Sequence, residues 1–358
     1  MKTLVTVIIF LCITSLSRAD EQATVMYDGA VLTEDVTWSG SVLVKGSVVV
    51  APQATLRIDA GTVVRFAASP AQPLPNLVIQ GRIHAAGTAD RPIVLTPDRS
   101  RPTRGAWGGI VLLATEKRNI LEQCRIEYAE TGVDVRYSAI TLKGVSIVQA
   151  KTALLSHDGI IQMTGGTVSD SETGLDIYNS ELDSKNSRFS SCQRGCVLNK
   201  SSAVFVSPKI INNQQAGLEA DECRLKISSG DFSGNAFGVR IKGGEGQITM
   251  SRFQNNRQTA LHLIGSRIKI QRCLFSENSR DALRTEDGKS LLLQNAFISN
   301  GGYHLYNAGR EEVGARQNWW GGTNPMLIKS KIYDSHLDEK AGAVHLSPWL
   351  NEKPPLMP

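Results

Sequence analysis

From residue 124 onward the chain repeats a short alternation of apolar and polar positions. One column of large apolar residues runs Ile126, Ile147, Val168, Phe189, Ile210, Phe232, Phe253, Phe275, Phe297 and Trp319, in steps of 21 or 22. A column of small residues keeps pace with it: Gly132, Ala153, Gly174, Gly195, Gly217, Gly238, Ala260 and Ala282. A period of this length marks a solenoid, in which each repeat is one turn of a stack. Within a repeat the apolar positions alternate with a period of two, as in 238–242 and 267–270. That alternation predicts about three short strands per coil. Helical repeats need a 3.6-residue period, and leucine-rich repeats need a Leu-x-x-Leu-x-Leu pattern with its own Asn spacing; neither is present. The predicted fold is all-β, a parallel β-helix of 21–22 residues per coil, with equivalent strands stacked about 4.8 Å apart.

A third column supports this register. Asn213, Asn235, Asn256, Asn278 and Asn300 each fall three residues after the apolar anchor. Asn tolerates the left-handed backbone of a sharp turn, and stacked amides can hydrogen-bond from coil to coil. Earlier coils carry Cys192, Ser171 and Ala150 there, so the ladder fades towards the N-terminus.

The first hundred residues are less regular, but their motifs are informative. Residues 48–58 (Val-Val-Val-Ala-Pro-Gln-Ala-Thr-Leu-Arg-Ile), 61–66 (Gly-Thr-Val-Val-Arg-Phe), 87–93 and Trp107-Gly108-Gly109-Ile110 resemble the opening coils of exported bacterial β-helix proteins. Asn318-Trp319-Trp320-Gly321, Ile332-Tyr333-Asp334 and Ser347-Pro348-Trp349-Leu350 resemble their ending. The regular coils are similar to the right-handed parallel β-helix superfamily that includes pectate lyases. The resemblance implies right-handedness, as does the bias of parallel crossovers, and it implies no particular activity. Residues 20–358 are read as one domain: irregular coils at 20–123, regular coils at 124–320 and a capping segment at 321–358. Two loops, the proline-rich Ala68 to Asn76 and the arginine-rich Pro97 to Ala106, are expected to protrude. Residues 323–358 are expected to cover the last coil, because an open parallel edge invites association.

Residues 1–19 read as an export leader, with Lys2, an apolar stretch from Leu4 to Ile13, and Ser17-Arg18-Ala19 before the cleavage point. The apolar stretch is too short to span a bilayer. Leu11 precedes Cys12 where a lipoprotein leader needs a small residue. No later segment reaches transmembrane length, so a periplasmic, extracellular or cell-surface location is expected. Loss of Lys2 and Arg18 lowers the formal charge from +5 to +3, too weak a balance to imply a nucleic-acid partner. Five cysteines remain, Cys124, Cys192, Cys196, Cys223 and Cys273. They are expected to be mainly buried thiols, although a bridge between Cys192 and Cys196 would close a tight turn.

Chemistry would sit on outward columns. After the small-residue column, one outward column reads Asp134, Leu155, Asp176, Val197, Glu219, Arg240, His262, Arg284, and the next reads Arg136, His157, Tyr178, Asn199, Asp221, Lys242, Ile264, Glu286. Glu219, Asp221, Arg240, Lys242, His262 and Arg284 therefore form a candidate strip for an acidic polysaccharide. Opposite charges on adjacent strands also stabilise stacking without any ligand. A second outward face carries Lys143, Arg224, Lys226, Arg267 and Lys269, the usual dress of a solvated strand surface. A lyase would need clustered carboxylates for calcium and a basic group to take the proton; a hydrolase would need spaced carboxylates. Val197 and Asn199 stand where further acids would help, and no catalytic motif is intact. The six histidines lack zinc-like spacing, and aromatics are too few to argue for a sugar-stacking platform. The sequence thus favours a non-catalytic exported scaffold or glycan-binding protein without a cofactor, its partner a polysaccharide or another cell-envelope component. The alternative is a lyase or hydrolase acting on an acidic polysaccharide, with calcium only in the lyase case.

Overall fold

The computed structural model describes residues 24–68 and 73–355. The leader, and residues 69–72 of the proline-rich loop, lie outside the described residues. The chain winds into three parallel sheets of 13, 14 and 14 strands, here A, B and C, with every third strand returning to the same sheet. One coil runs through Lys209–Ile211 in A, Ala216–Asp221 in B and Arg224–Ser228 in C, and the next begins at Asp231. Twelve spacings along sheet A make a rod of about 58 Å.

Each corner of that coil turns on one residue in the left-handed region: Asn212 (φ 56°), Glu222 (φ 52°) and Ser229 (φ 54°). For residues other than Gly this conformation costs roughly 1–2 kcal/mol, so stacking must offset it. The ladder asparagines are not those residues. Gly234, Asn255, Glu277 and Ser299, each one position earlier, adopt the left-handed turn. The ladder side chains point inward and are fully buried or nearly so. Asn213, Asn256 and Asn278 each donate Nδ2 to the Oδ1 of the next ladder amide at 2.9, 2.9 and 2.8 Å. Each Oδ1 also accepts the backbone N–H of the ladder residue one coil earlier, as Asn235 Oδ1 does from Asn213 at 2.9 Å. The amide thus feeds the corner, where the backbone has no strand partner. Sequence reasoning missed a shorter ladder at the C-to-A corner, where Cys273 N–H donates to Asn295 Oδ1 and Asn295 Nδ2 to Asn318 Oδ1, both at 2.9 Å.

The apolar column lines the core. Phe232, Phe253, Phe275 and Phe297 stack with centroids 5.0, 4.7 and 5.0 Å apart. Its last member is Trp320 rather than Trp319. Trp320 lies on Phe297 at 4.6 Å and is buried, whereas Trp319 is half-exposed and pairs through its backbone with Ala296. The column also continues backwards through Leu95, Val64 and Val42. At the glycines of the small column a side chain would strike the neighbouring coil: a Cβ on Gly174 or Gly195 would lie 2.3 Å from the next carbonyl oxygen.

Both early loops leave from the A-to-B corner. The arginine-rich one does not protrude along its whole length, because Ala106 is buried and Arg104 Nε donates to the Asp170 carbonyl at 3.0 Å, pinning the loop along later coils. At the far end the short helix Pro325–Ser330 buries Ile328, and strands Ile332–Tyr333 and Val344–His345 add a further partial coil to sheets B and C. Cys124, Cys192, Cys196, Cys223 and Cys273 are all buried and unbridged. Among the described residues no helix is long and apolar enough to cross a membrane.

Candidate functional site

The strand register aligns both outward columns on sheet B. Glu219 lies beside Arg240, Arg240 beside His262 and His262 beside Arg284, while Asp221 lies beside Lys242. The six candidate side chains therefore share one face. What the alignment could not give is how they pair. Glu219 meets Arg240 and Asp221 meets Lys242, each at 3.2 Å. Glu286 accepts from Arg284 at 2.9 Å and from His262 at 3.1 Å. Every one of the six is thus engaged with a neighbouring coil or with Glu286. Only a shallow depression of about 240 Å³ lies over Glu219, Asp221, Arg240 and Lys242.

Burial pushes His262 below its ordinary pKa and outweighs the bond to Glu286. Burial would raise Glu286, but hydrogen bonds from Arg284 and His262 prevail and hold it below the usual carboxylate range. At neutral pH the contact therefore joins a neutral imidazole to a carboxylate, a hydrogen bond rather than an ion pair. Further down the strip Asp134 is buried, its carboxylate gripped by Arg136 Nε and an Arg136 terminal nitrogen at 2.6–3.1 Å.

The upper end of the strip holds residues that sequence reasoning left out. The Arg284 guanidinium lies 4.5 Å over the Tyr306 ring, and Tyr306 stacks on Tyr333 at 4.1 Å. Tyr303 meets both rings edge-on. Hydrogen bonding with Tyr306 and then Asp338 pushes the Tyr333 hydroxyl up to about 12, so it remains a donor at neutral pH. Tyr306 stands one 22-residue step beyond Arg284 and was within reach of the column rule, whereas Tyr333 follows after 27 residues and was not. Three tyrosines, Tyr303, Tyr306 and Tyr333, are thus gathered here, each half-buried.

The basic face lies on sheet C, where Arg224 meets Glu245 at 3.5 Å and Lys143 meets Glu122 at 3.8 Å. Among the described residues no three His, Cys, Asp or Glu side chains converge as a metal site would require.

Comparison with known proteins bears on the architecture. Residues 103–232 and 210–338 match the family described as right handed beta helix region. The chain belongs to the right-handed β-helix family. Residues 30–137 also match the pectate-lyase like beta helix domain. No match is found among curated protein sequences. Solved structures similar to this right-handed β-helix protein include the A-module of the mannuronan C-5 epimerase AlgE4 from Azotobacter vinelandii, 12% identical, covering 84% of this chain and 91% of that one with a TM-score of 0.48. A mutant form of the periplasmic alginate epimerase AlgG is 11% identical, with 82% and 78% coverage and a TM-score of 0.43. The Dettilon tailspike protein is 10% identical, with 90% and 61% coverage and a TM-score of 0.29. Likeness at this level concerns the winding of the chain and carries no inference about activity.

Proposed function

We propose that this is an exported, non-catalytic β-helix protein of the cell envelope or exterior that binds an acidic polysaccharide along sheet B. The observation that carries this reading is the Arg284–Tyr306–Tyr333 stack at the end of a row of paired charges on an open strand face. The Arg284 guanidinium gives Nε to Glu286 and can offer its remaining N–H groups to sugar carboxylates and hydroxyls. The paired Glu219, Asp221, Arg240 and Lys242 below them act mainly as rungs that hold the strands. Catalysis would need carboxylates free to take metal or exchange protons, and Glu219 and Asp221 each already face a cation. That donor set does not fit calcium, which is held by several converging oxygens, and the reading requires no cofactor.

A second reading, a polysaccharide lyase, draws on the neutral His262 beside Arg284. An unprotonated imidazole can accept a proton while a guanidinium neutralises the neighbouring carboxylate. A panel of acidic and neutral polysaccharides, alginate and polygalacturonate among them, separates the two. Binding that weakens with added salt and in Arg284→Ala, without new reducing ends or unsaturated uronates, supports the binding protein. Unsaturated products that disappear in His262→Ala would establish the lyase instead. A wild type that binds no polysaccharide in the panel would overturn both readings.

A further inference from the structure

A concave site lies away from sheet B, at the corner where sheet C turns into sheet A. The corner residues Ser207, Ser229, Met250 and Arg272 stack there over four coils, and the C-terminal tail forms a wall. The tail is tied down at its root: Gln317 N–H donates to the Pro348 carbonyl at 2.6 Å, Leu350 N–H donates to the Asn318 carbonyl at 3.0 Å, and Trp349 packs on the core. From Leu350 an extended chain reaches Lys353 in about 10 Å, enough to descend about two coils of the rod. The result is a groove of about 530 Å³ that brings Lys209, Arg252, Arg272 and Lys353 together with one acid, Asp231.

The charges in this groove do not cancel. Asp231 binds Arg252 at 2.6 Å and accepts a short hydrogen bond from the Ser233 hydroxyl. Burial would raise its pKa, but Arg252, Ser233 and Lys209 outweigh that and keep it ionised below the usual range. The Arg272 guanidinium donates to the neutral Gln294 side chain, at 3.2 Å. Among the described residues Lys209, Arg272 and Lys353 make no ion pair. The cations of the sheet B strip each meet an acid on their own strand or the neighbouring coil; here four cations line a hollow whose single acid, Asp231, is bound by Arg252. A concave wall lowers the local dielectric and focuses the field of such groups on whatever enters.

We propose that this corner groove is a second binding site, for a linear anionic oligosaccharide lying along the rod axis. Lys209, Arg272 and Lys353 receive its acidic groups, and the Asp231–Arg252 pair holds the floor of the groove in place. Strand stacking presents the corner cations in successive coils, so a ligand carrying charges along its length is favoured over a single compact anion. The inference goes beyond the sheet B reading and rests on it only for the ligand class.

Lysine footprinting tests it on the intact protein. The protein is treated with a lysine-acetylating reagent, with and without a uronate hexamer, and each site is read by mass spectrometry. A parallel arm uses a sulfated hexasaccharide to separate carboxylate from sulfate recognition. The expected result is protection of Lys209 and Lys353, with Lys226 and Lys269 on sheet C unchanged. Combined Lys209→Gln and Arg272→Gln should weaken hexamer binding about tenfold or more, with a nearly unaltered melting temperature. Equal labelling of Lys209 and Lys353 with and without hexamer, alongside binding that is lost in Arg284→Ala, overturns the groove and leaves the sheet B reading standing. Failure of the wild type to bind either hexamer overturns the groove and the polysaccharide reading together.

Discussion

Replacing Asn256 by Ala removes one rung from the middle of the buried ladder. Its Nδ2 donates to the Phe232 carbonyl and to Asn278 Oδ1, both at 2.9 Å, and its Oδ1 accepts the Asn235 N–H at 3.1 Å. Asn278 Oδ1 keeps its bond from the Asn256 backbone, and Asn235 Nδ2 loses a long 3.4 Å contact but keeps its bond to the Ile210 carbonyl, so truncation leaves two groups without a close partner, the Asn235 N–H and one lone pair of the Phe232 carbonyl. Each costs about 1–3 kcal/mol when left unpaired in a dry interior, and the void adds about 1 kcal/mol. A water entering the vacated space would recover part of this. The expected loss is therefore about 3–7 kcal/mol, or nearer 2 kcal/mol if water fills the gap. Solenoids open locally, so a single global transition is not assured. Hydrogen exchange at the Asn235 and Asn256 amides, alongside urea denaturation, reads the local effect. Asn256→Asp sharpens the test, because the new carboxyl faces two acceptors and can donate only when protonated. Its folded pKa lies above the unfolded value of about 3.9. Stability is then fully present below pH of about 4 and is lost as pH rises through the folded pKa. A loss below about 1 kcal/mol in Asn256→Ala, with no such pH response in Asn256→Asp, would refute the view that these amides carry the corner.

Phe253, stacked on both sides, should cost about 3–5 kcal/mol when cut to Ala, measured by urea denaturation. The five thiols should resist alkylation in the native protein and react after unfolding; burial pushes Cys124 and Cys273 to about 12 and Cys192 to about 11, and mass spectrometry reads the labels. Burial, with a smaller contribution from Lys331, lowers His304 to about 4. Its contribution is therefore present above the unfolded value near 6.5 and lost as pH falls through about 4, about 3 kcal/mol in all; a stability–pH profile that flattens in His304→Asn checks it. Arg240→Ala should change stability by less than about 1 kcal/mol, since exposed pairs contribute little, and thermal unfolding measures that directly.

The core was legible because its rule is local: a residue 21 or 22 positions on occupies the same place in the next coil. That rule located the phenylalanine stack, the small column and both outward columns. It failed where a coil changes length. The step from Phe297 to Trp320 is 23, and those from Val64 to Leu95 and from Leu95 to Ile126 are 31. The two 31-residue coils hold loops at the A-to-B corner, and the last coil gains its residue between Asn307 and Val313, at the B-to-C corner. Conformation within a corner was also misassigned: Asn213 and its successors suit a left-handed turn by type, yet the turn falls one residue earlier and their amides are spent inside. The six strip residues were placed together by the same rule, but their pairing depends on side-chain reach and on Glu286. The groove was invisible because Lys353 comes to it through the path of the tail, which no repeat encodes.

The one-residue corners also limit how this molecule can change in evolution. A corner made of a single left-handed residue contains no slack, so adding or losing one residue there or within a strand would turn the strand over and put its core side chains into water, whereas coils of 21 and 22 residues differ by one residue at the longer A-to-B corner. Removing 21 or 22 residues at once leaves every column intact and only shortens the rod. Length is therefore heritable in whole coils, as the graduations of a ruler, while the longer corners, A-to-B in the regular coils and B-to-C in the last one, are where single residues have been accommodated.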